Sequence, residues 1–397
     1  MVKKRNKANY EPSNDFSMNE EGNSDEKLEY SSNKMFGIKD KNLAKRKVFL
    51  SRARRRLFKH VWVARVFLII IGICLLAILG FFGVNGLKGT TFGQYVGVGK
   101  NFIFPPSGLV PEIDGRINIL LMGKSGEGQD SPDLTDTMIL VSISQSDHKI
   151  SLISIPRDIW IPDLQAKINS SYYWGKQKSQ GSALAGIVLA KSTVEEIVGV
   201  PIQYGVVINF SGFQKVIDEI GGVDVMVDRG FTDTQYPLPG HEADNCNGDP
   251  TLACRYQTVT FKAGLNHMDG ATALKFVRSR HAPGDEGSDL ARAQRQQKVI
   301  KAIMEKTLSP ATFLSPSKIT SLVAILNSSV ETDMAAAKAA VVGRYVVDAR
   351  NNIVTHAVPE ELLAEGPKSY LYGYQFVFLP KKGDWSDLQK WVKQNLP

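Results

Sequence analysis

The chain has 397 residues and a formal net charge of +8 at pH 7, from 48 Lys and Arg against 40 Asp and Glu. Residues 1–65 hold 17 of these basic and 8 of these acidic residues, which leaves 31 and 32 in the rest, a net charge of −1. The positive charge therefore belongs to an N-terminal tail. The neutral remainder has no recognition motif, which argues against a nucleic-acid-binding protein.

An apolar segment without any charge follows this tail. Residues 66–84 (VFLIIIGICLLAILGFFGV) have about the length with which a helix crosses a hydrocarbon core of ~30 Å. Residues 39–65, just before it, carry 11 Lys and Arg, so the positive-inside bias predicts a cytoplasmic N-terminus. We therefore predict a single-pass protein of the cell membrane with an extracytoplasmic domain beyond Val84.

The predicted organisation has four parts. Residues 1–65 form a cytoplasmic tail, disordered at first and basic near the membrane, because few apolar residues are available there to bury. Residues 66–84 form a transmembrane signal-anchor helix, and residues 85–112 form a linker. Residues 113–397 form the extracytoplasmic domain.

Short β-branched runs alternate with helical patterns from residue 117 onward. Strands are predicted at 117–122, 138–143, 149–155, 203–208, 223–227, 353–357 and 375–378. Helices are predicted at 183–198, 210–220, 271–277, 290–307, 334–347 and 385–394. Ser288 is the predicted N-cap of the fourth helix. Because strands alternate with helices, we predict an α/β fold with a sheet covered on both faces.

Two of the three cysteines lie in a polar loop. Cys246 and Cys254 are eight residues apart in HEADNCNGDPTLACRY, whereas Cys74 lies in the apolar segment. An oxidising exterior favours a disulfide between Cys246 and Cys254. A metal site is the alternative, but two thiols without a CxxC pair argue against it.

Five polar clusters stand out, several of them near the ends of predicted strands, where α/β sheets place ligands. They are Thr135-Asp136-Thr137, Pro156-Arg157-Asp158, Lys167-Ile168-Asn169, Arg278-Ser279-Arg280, and Asp289 with Arg292, Arg295 and Gln296. The last set follows i, i+3, i+6 and i+7 along a helix, which predicts one shared face. Each cluster alone is more often a surface turn or a solvated face. If the five clusters meet at one place in the fold, they indicate a binding site.

Arginine forks match phosphate oxygens, so five arginines in a neutral domain predict an anion site. A carboxylate at Asp136 would suit Mg²⁺, or Mn²⁺, bridging phosphates. The histidines lack metal-ligand spacing, and GxSxG, HExxH, Walker A and GxGxxG motifs are absent from the sequence. The sequence therefore gives no evidence for a hydrolase that uses a nucleophilic side chain.

The order of these segments resembles the LytR-CpsA-Psr family of bacterial envelope proteins. The similar segments are NILLMG (118–123), LTDTMILVSI (134–143), KISLISIPRDIWI (149–161), KINSSYYWG (167–175), GVPIQYGVVINFSGFQKVIDEIGGVDV (199–225), LNHMDGATALKFVRSRH (265–281) and DLARAQRQQKVIKAI (289–303). The resemblance runs from about 117 to 303, with a weaker similarity in 330–397.

This resemblance implies an α/β/α sandwich with a mixed central sheet and a phosphotransferase activity. Family members move an anionic glycopolymer, such as teichoic acid or capsule, from a polyprenyl-pyrophosphate carrier to peptidoglycan. The implied pyrophosphate ligands are Arg157, Arg278, Arg280, Arg292, Arg295, Gln296 and Lys167. Asp136 is the implied metal ligand, and Arg157, Arg280 and Asp136 are the implied catalytic residues. Asp136 and Asp158 are the candidate general bases.

Two positions depart from the family pattern. Ser125 stands where the family usually has a second metal-binding aspartate, and Leu134 stands in place of an arginine. Lys124 could partly replace the charge of the ion, or Asp130 or Asp133 could supply the missing carboxylate. These departures leave two alternatives, a non-catalytic protein that binds the polyprenyl lipid and a hydrolase of the same pyrophosphate. A transcriptional regulator does not fit a neutral domain outside the membrane.

Overall fold

The computed structural model describes residues 91–126, 131–241 and 243–397. The predicted tail and transmembrane helix lie outside these residues. Within them, every helix is too short or too polar to cross a bilayer.

Ten helices and fourteen strands are assigned in the described residues. The helices are α1 Thr91–Ile103, α2 Ser171–Lys178, α3 Ala183–Val198, α4 Phe210–Glu219, α5 Gly270–Arg278, α6 Asp289–Thr307, α7 Pro310–Phe313, α8 Pro316–Ser329, α9 Ala336–Ala349 and α10 Ser386–Asn395. The longer strands are β1 Arg116–Lys124, β2 Thr135–Ser144, β3 Lys149–Ser154, β6 Tyr204–Asn209, β7 Val223–Val227, β8 Phe231–Pro237, β9 Tyr256–Phe261, β10 Gly264–Met268 and β12 Ile353–Ala357. The short strands are β4 Trp160–Ile161, β5 Ala166–Lys167, β11 Val330–Thr332, β13 Leu363–Glu365 and β14 Phe378–Pro380.

The central sheet has six strands in the order β11-β6-β1-β2-β3-β12. β1 runs antiparallel to β2, and β2 antiparallel to β3, whereas β6 is parallel to β1 and β12 is parallel to β3. This arrangement confirms the predicted mixed sheet. The carboxyl ends of β1, β3, β6 and β12 therefore lie at one end of the sheet, together with the amino ends of β2 and β11. We call this the site end.

Side chains alternate between the two faces of the sheet, as the pleat requires. Leu120 and Met122 of β1 belong to a core with α3 and α10. Ile117 and Ile119 of the same strand belong to a second core with α9 and the later part of α6. Helices therefore cover both faces, which confirms the α/β/α layering.

A third core lies beside the sheet. It joins α4, α5, α8 and the second half of α6 with the two-stranded sheets β7–β10 and β8–β9. Phe231, Phe261 and Phe276 form its aromatic centre, with ring centroids 5.0–6.0 Å apart. This core packs α5 against α6, and these two helices and their connection carry four of the five candidate arginines.

Some segments differ from the sequence prediction. The predicted linker at 85–112 contains α1, whose Phe102 lies near Gly343 of α9. The predicted strand at 375–378 begins later, at Phe378, where the backbone pairs with β13. Helices α2, α7 and α8 and the hairpin β8–β9 were not predicted. Their Ser, Thr and Gln content weakens the hydrophobic period on which the prediction rests.

Candidate active site

A cleft opens at the site end of the central sheet. It lies between the ends of β2, β3 and β12, the first turns of α6 and the hairpin β13–β14. Its polar lining is Asp136, Ser154, Arg157, Asp158, Asp289, Arg292, Gln296 and Glu360. Its apolar lining includes Met138, Ile155, Leu290, Val358, Leu363 and Phe378. The cleft therefore offers charged and apolar surface side by side.

Arg157 projects from the turn that ends β3. Pro156, which has no N–H to donate, stops the strand just before it. The Arg157 Nη1 donates to Asp136 Oδ1 at 2.9 Å, and its Nε lies 3.5 Å from Asp158 Oδ2. Burial lowers the pKa of Arg157, but the charges of Asp136 and Asp158 more than offset that effect, so the pKa is raised. This guanidinium stays charged and is held at the cleft.

Arg292 projects into the same cleft from α6. The Ser288 hydroxyl accepts from Ala291 N at 3.1 Å, which confirms the predicted N-cap. Arg292 Nη2 lies 2.7 Å from Asp289 Oδ1. Burial lowers the pKa of Arg292, Asp289 partly offsets this, and the charges of Arg157 and Arg280 lower it further. Three guanidiniums from three separate segments are therefore close enough to repel one another, which favours a bound anion.

The segment Arg278–His281 is fixed by a residue that the sequence did not single out. The fully buried carboxylate of Asp233, on β8, accepts from the backbone N–H of Arg280 at 3.0 Å and of His281 at 3.2 Å. Its other oxygen accepts from Gln235 N at 2.9 Å. Arg280 itself is exposed. The sequence FTDTQYP has the pattern of a polar edge strand and does not indicate this role. Only the contacts of Asp233 in the folded chain identify it.

Arg278 lies against aromatic rings. Its guanidinium carbon is 4.4 Å from the ring centroid of Phe210 and 5.6 Å from that of Tyr236. Its Nη1 is 3.4 Å from Tyr236 Oη. Arg278 is half-buried and does not line the cleft. The stacking sets the direction of the chain that leads to Arg280.

Arg295 does not face the cleft, which corrects its predicted place on a shared helix face. It is 4% exposed and donates to Phe276 O, Ser279 O, Glu286 O and Glu286 Oε2 at 2.5–3.1 Å. At 100° per residue, position i+6 is rotated about 120° from position i, whereas i+3 and i+7 remain within about 60° of it. Arg292 and Gln296 therefore line the cleft with Asp289, and Arg295 holds the α5–α6 connection.

Lys167 is paired behind the cleft. Its Nζ donates to Asp158 Oδ1 at 2.6 Å, and Asp158 is 4% exposed. Asn169 Nδ2 donates to Asp136 Oδ1 at 3.3 Å. Lys167 and Asn169 therefore support Arg157 and Asp136 through their partners. Asp158 is buried and bonded to Lys167, so it is a poor candidate for the general base.

Of the carboxylates that the sequence suggested as metal ligands, Asp136 lines the cleft, together with Asp158, Asp289 and Glu360. Asp136 is exposed at the cleft, and its Oδ2 has no hydrogen-bond donor among the described residues. Ser125, in place of the second aspartate, donates its hydroxyl to Ser131 O at 2.9 Å. Asp130 lies outside the described residues. One carboxylate suits Mg²⁺ that completes its shell with phosphate oxygens and water.

Asp133 and Lys124 belong to a separate charged network beside the cleft. Lys124 Nζ donates to Asp133 Oδ1 at 2.9 Å and to Glu331 Oε1 at 2.8 Å, and Lys176 lies 2.9 Å from Asp133. Glu331 also accepts from the Tyr172 hydroxyl. Two cations and two carboxylates neutralise one another here. The sequence suggested a free ammonium at Lys124 or a free carboxylate at Asp133. In the structure both groups are ion-paired.

The two loop cysteines form the predicted disulfide. The Sγ atoms of Cys246 and Cys254 are 1.99 Å apart, in the connection between β8 and β9. Asp244 lies close to both sulfurs, but bonded sulfurs are not thiolate ligands. The disulfide therefore closes the loop beyond Tyr236, whose ring contacts Arg278.

Known proteins are similar to the part of the chain that forms this site. The model of the LytR_cpsA_psr family matches residues 100–393. A curated relative from Oceanobacillus iheyensis, polyisoprenyl-teichoic acid–peptidoglycan teichoic acid transferase TagU, is 34% identical over 242 residues. That match covers 60% of this chain and 65% of the relative, which is less than two thirds of the relative's length.

Two crystal structures share the fold. Protein gbs0355 from Streptococcus agalactiae superimposes with a TM-score of 0.51 at 21% identity, covering 70% of this chain and 87% of the other. TagV from B. subtilis superimposes with a TM-score of 0.50 at 22% identity, covering 72% and 98%. At these identities the likeness concerns the fold alone.

Proposed function

Since the chain belongs to the LytR-CpsA-Psr family, we propose that it transfers an anionic glycopolymer of the teichoic-acid class from a polyprenyl-pyrophosphate carrier to peptidoglycan. The observation that carries this proposal is that Arg157 and Arg292 line one cleft, and that Arg280, exposed on a fixed turn, is near enough for its charge to act on Arg292. Their mutual repulsion is relieved by an anion of high charge, and a pyrophosphate has that charge. The apolar lining next to them suits an isoprenoid chain.

The reaction is a displacement at phosphorus. A hydroxyl oxygen of the acceptor sugar attacks the phosphorus that carries the glycan, and a new P–O bond forms. The bond from that phosphorus to the bridging oxygen breaks, and polyprenyl phosphate leaves with the electron pair. The hydroxyl proton passes to a carboxylate or a water molecule at the cleft; Asp136 is the exposed candidate from the sequence, but a carboxylate that holds Mg²⁺ is a weak base. Positioning and electrostatics then supply most of the catalysis.

Each cleft residue has a role in this scheme. Arg157 and Arg292 bind the pyrophosphate oxygens, and their charges stabilise the leaving phosphate. Arg280, exposed on its fixed turn, contacts the same group, and Gln296 donates an amide N–H to it. Mg²⁺, held through Asp136, would supply further positive charge on the phosphates when bound. Removal of one such donor raises the barrier by about 2.7–4 kcal/mol in other enzymes.

The location follows from the substrate. A polyprenyl carrier is held in a bilayer, so the enzyme works at a membrane surface. The charge-free segment 66–84 would anchor it there, with the domain on the outer side.

A transfer assay with the full chain tests the proposal. Polyprenyl pyrophosphate carrying a short glycan is incubated with a peptidoglycan oligomer and Mg²⁺, and both products are measured by mass spectrometry. Polyprenyl phosphate together with a glycan–phosphate–oligomer adduct supports the transferase. Release without the adduct supports the hydrolase.

Lipid binding without chemistry is the second candidate. Ser125 offers a hydroxyl where a carboxylate is expected, and Lys124 and Lys176 neutralise the nearest alternative, Asp133. Tight binding of the carrier without any release of polyprenyl phosphate, at any Mg²⁺ concentration, would support this candidate and contradict the transferase.

A further inference from the structure

The hairpin β13–β14 connects the cleft to an exposed aromatic turn. Leu363 and Phe378, one on each strand of the hairpin, line the cleft. Phe378 N donates to Asp158 O at 2.9 Å, so the hairpin is fixed to the segment that carries Arg157. Residues 366–377 (GPKSYLYGYQFV) connect the two strands. We call residues 366–377 the aromatic loop.

The aromatic loop exposes more apolar surface than a hairpin connection usually does. Tyr370, Leu371 and Tyr374 are 75%, 61% and 70% exposed, and Phe376 is also exposed. Four large side chains within seven residues form a patch rather than isolated exposures. Such a patch marks an interaction surface.

This patch is presented by an ordered turn. The Tyr372 ring meets Trp160 edge-to-face at 5.2 Å, which ties the loop to β4. Phe376 meets Phe378 edge-to-face at 5.0 Å. Ser369 accepts from the N–H of Leu371, and Gly373 closes the turn with a φ of +57°. Because Tyr372 packs inward, its neighbours are directed outward as a fixed group.

The charge near the loop selects the kind of partner. Lys368 is the single charged residue of the aromatic loop. Glu360, Glu361 and Glu365 precede the loop, and Lys381 and Lys382 follow the hairpin, so three acidic and three basic residues balance one another. The surroundings therefore give no electrostatic attraction to an anionic partner. Tyrosine and leucine with few charges suit the boundary between headgroups and acyl chains.

We propose that the aromatic loop inserts into the surface of the phospholipid bilayer that holds the polyprenyl carrier. This inference rests on the proposed function, because the carrier must pass from the bilayer into the cleft whose wall the hairpin forms. Leu371 and the two exposed tyrosines enter the headgroup region and hold the cleft mouth there. Leu371, at the tip, favours a bilayer over a sugar chain, which aromatic faces alone would bind.

Depth-dependent fluorescence quenching tests the insertion without any turnover. The full chain with Cys74→Ser keeps its disulfide, and Leu371→Cys is labelled with an environment-sensitive fluorophore and reconstituted in phosphatidylcholine vesicles. Leu265→Cys is the matched control, because Leu265 is a leucine of similar exposure, 69%, on β10. Spin-labelled lipids should quench the label at 371 and shift its emission to the blue. Iodide should quench the label at 265.

The outcomes separate the alternatives. Equal quenching of both labels by iodide would overturn the inference. A blue-shifted label at 371 that neither lipid nor iodide quenches would indicate a protein partner or a second copy, and would also overturn it. Insertion through apolar contacts predicts that 1 M NaCl, which screens surface charge to within about 3 Å, leaves the label embedded. Release by salt would contradict that mode.

A turnover comparison links insertion to the reaction. Leu371→Ser with Tyr374→Ser should lower transfer from a long-chain carrier in vesicles about tenfold or more, since each large side chain contributes substantially to partition. Transfer from a water-soluble, short-chain carrier should change less than twofold, and the melting temperature should not change. An equal loss with both carriers would contradict the inference. If the wild-type chain transfers neither substrate, the proposed function fails, while the quenching result still stands.

Discussion

Glutamine substitutions at Arg292 and Arg295, three residues apart on α6, are expected to fail in opposite ways. Arg292 lies in the cleft with one half-exposed carboxylate partner, and its pKa is lowered by burial and by neighbouring guanidiniums. Arg292→Gln removes an ion pair worth about 0–1 kcal/mol and also relieves like-charge repulsion. Its stability should therefore remain close to that of the wild type. Its turnover should fall about 10²–10³-fold, as for the loss of one transition-state donor.

Arg295→Gln should show the reverse pattern. Arg295 is 4% exposed and bonds four oxygens of the α5–α6 connection, and its guanidinium lies 4.7 Å from the Phe231 ring centroid. Removing it leaves the carboxylate of Glu286 and three carbonyls without their donor. Breaking a buried pair from one side costs about 3–5 kcal/mol. The melting temperature should fall by roughly 10 °C.

Two measurements on the same samples decide the matter. Melting temperatures give stability, and initial rates with saturating carrier, taken well below the lower melting temperature, give turnover. The folded fraction of Arg295→Gln should keep a rate within a few fold of the wild type. Unchanged melting of Arg295→Gln together with a 10²-fold loss of rate would refute the assignment of Arg295 to structure and of Arg292 to the cleft.

Three further predictions use other groups. Asp233→Asn should destabilise the chain by about 1–3 kcal/mol and raise KM for the carrier, because Asp233 holds the backbone of Arg280. Asp218→Asn is the control, because Asp218 also accepts a backbone N–H, from Gly270, and should raise KM less. Equal KM values in the two variants would contradict a positioning role for Asp233. Asp136→Asn should raise the Mg²⁺ concentration for half-maximal transfer, and chelation of divalent ions should abolish wild-type transfer; full activity in chelator would refute the metal proposal. Burial and then the charge of Lys149 lower the pKa of His356 below its ordinary value of 6.5, so the folded state prefers neutral imidazole and loses stability as pH falls below about 6.5. The melting temperature of the wild type should therefore fall between pH 7.5 and pH 5.5, and that of His356→Gln should fall less. An equal fall in both proteins would show that His356 does not cause the loss of stability.

Strong local patterns made most of the central sheet and its helices predictable. The helix at 183–198 was predicted with the bounds observed, because Gly199 adopts a left-handed conformation (φ +67°) right after a long apolar period. The strands at 116–124 and 135–144 follow buried β-branched runs. Strand ends and the Ser288 cap then placed Asp136, Arg157 and Arg292 at one end of the sheet.

Tertiary pairing decided what the sequence could not. Lys124 finds Glu331, 207 positions away, at 2.8 Å, and no local pattern indicates such a partner. Arg295 sits in a run of five polar helical residues (294–298), and only the neighbouring carbonyls show that it is internal. The aromatic loop has no helical or strand period, so its fixed turn depends on the contact between Tyr372 and Trp160.

The cleft is assembled from parts that are far apart in the chain. Asp136 and Phe378 line the same cavity although 242 positions separate them. Such non-local contacts form late, because the loop between them must close first. A carrier lipid that binds there recognises only the completed fold, and at a hundred times its Kd it adds about 2.7 kcal/mol to that fold by mass action. Under the proposed function, the supply of carrier would then set the stability of the folded chain as well as the rate of transfer.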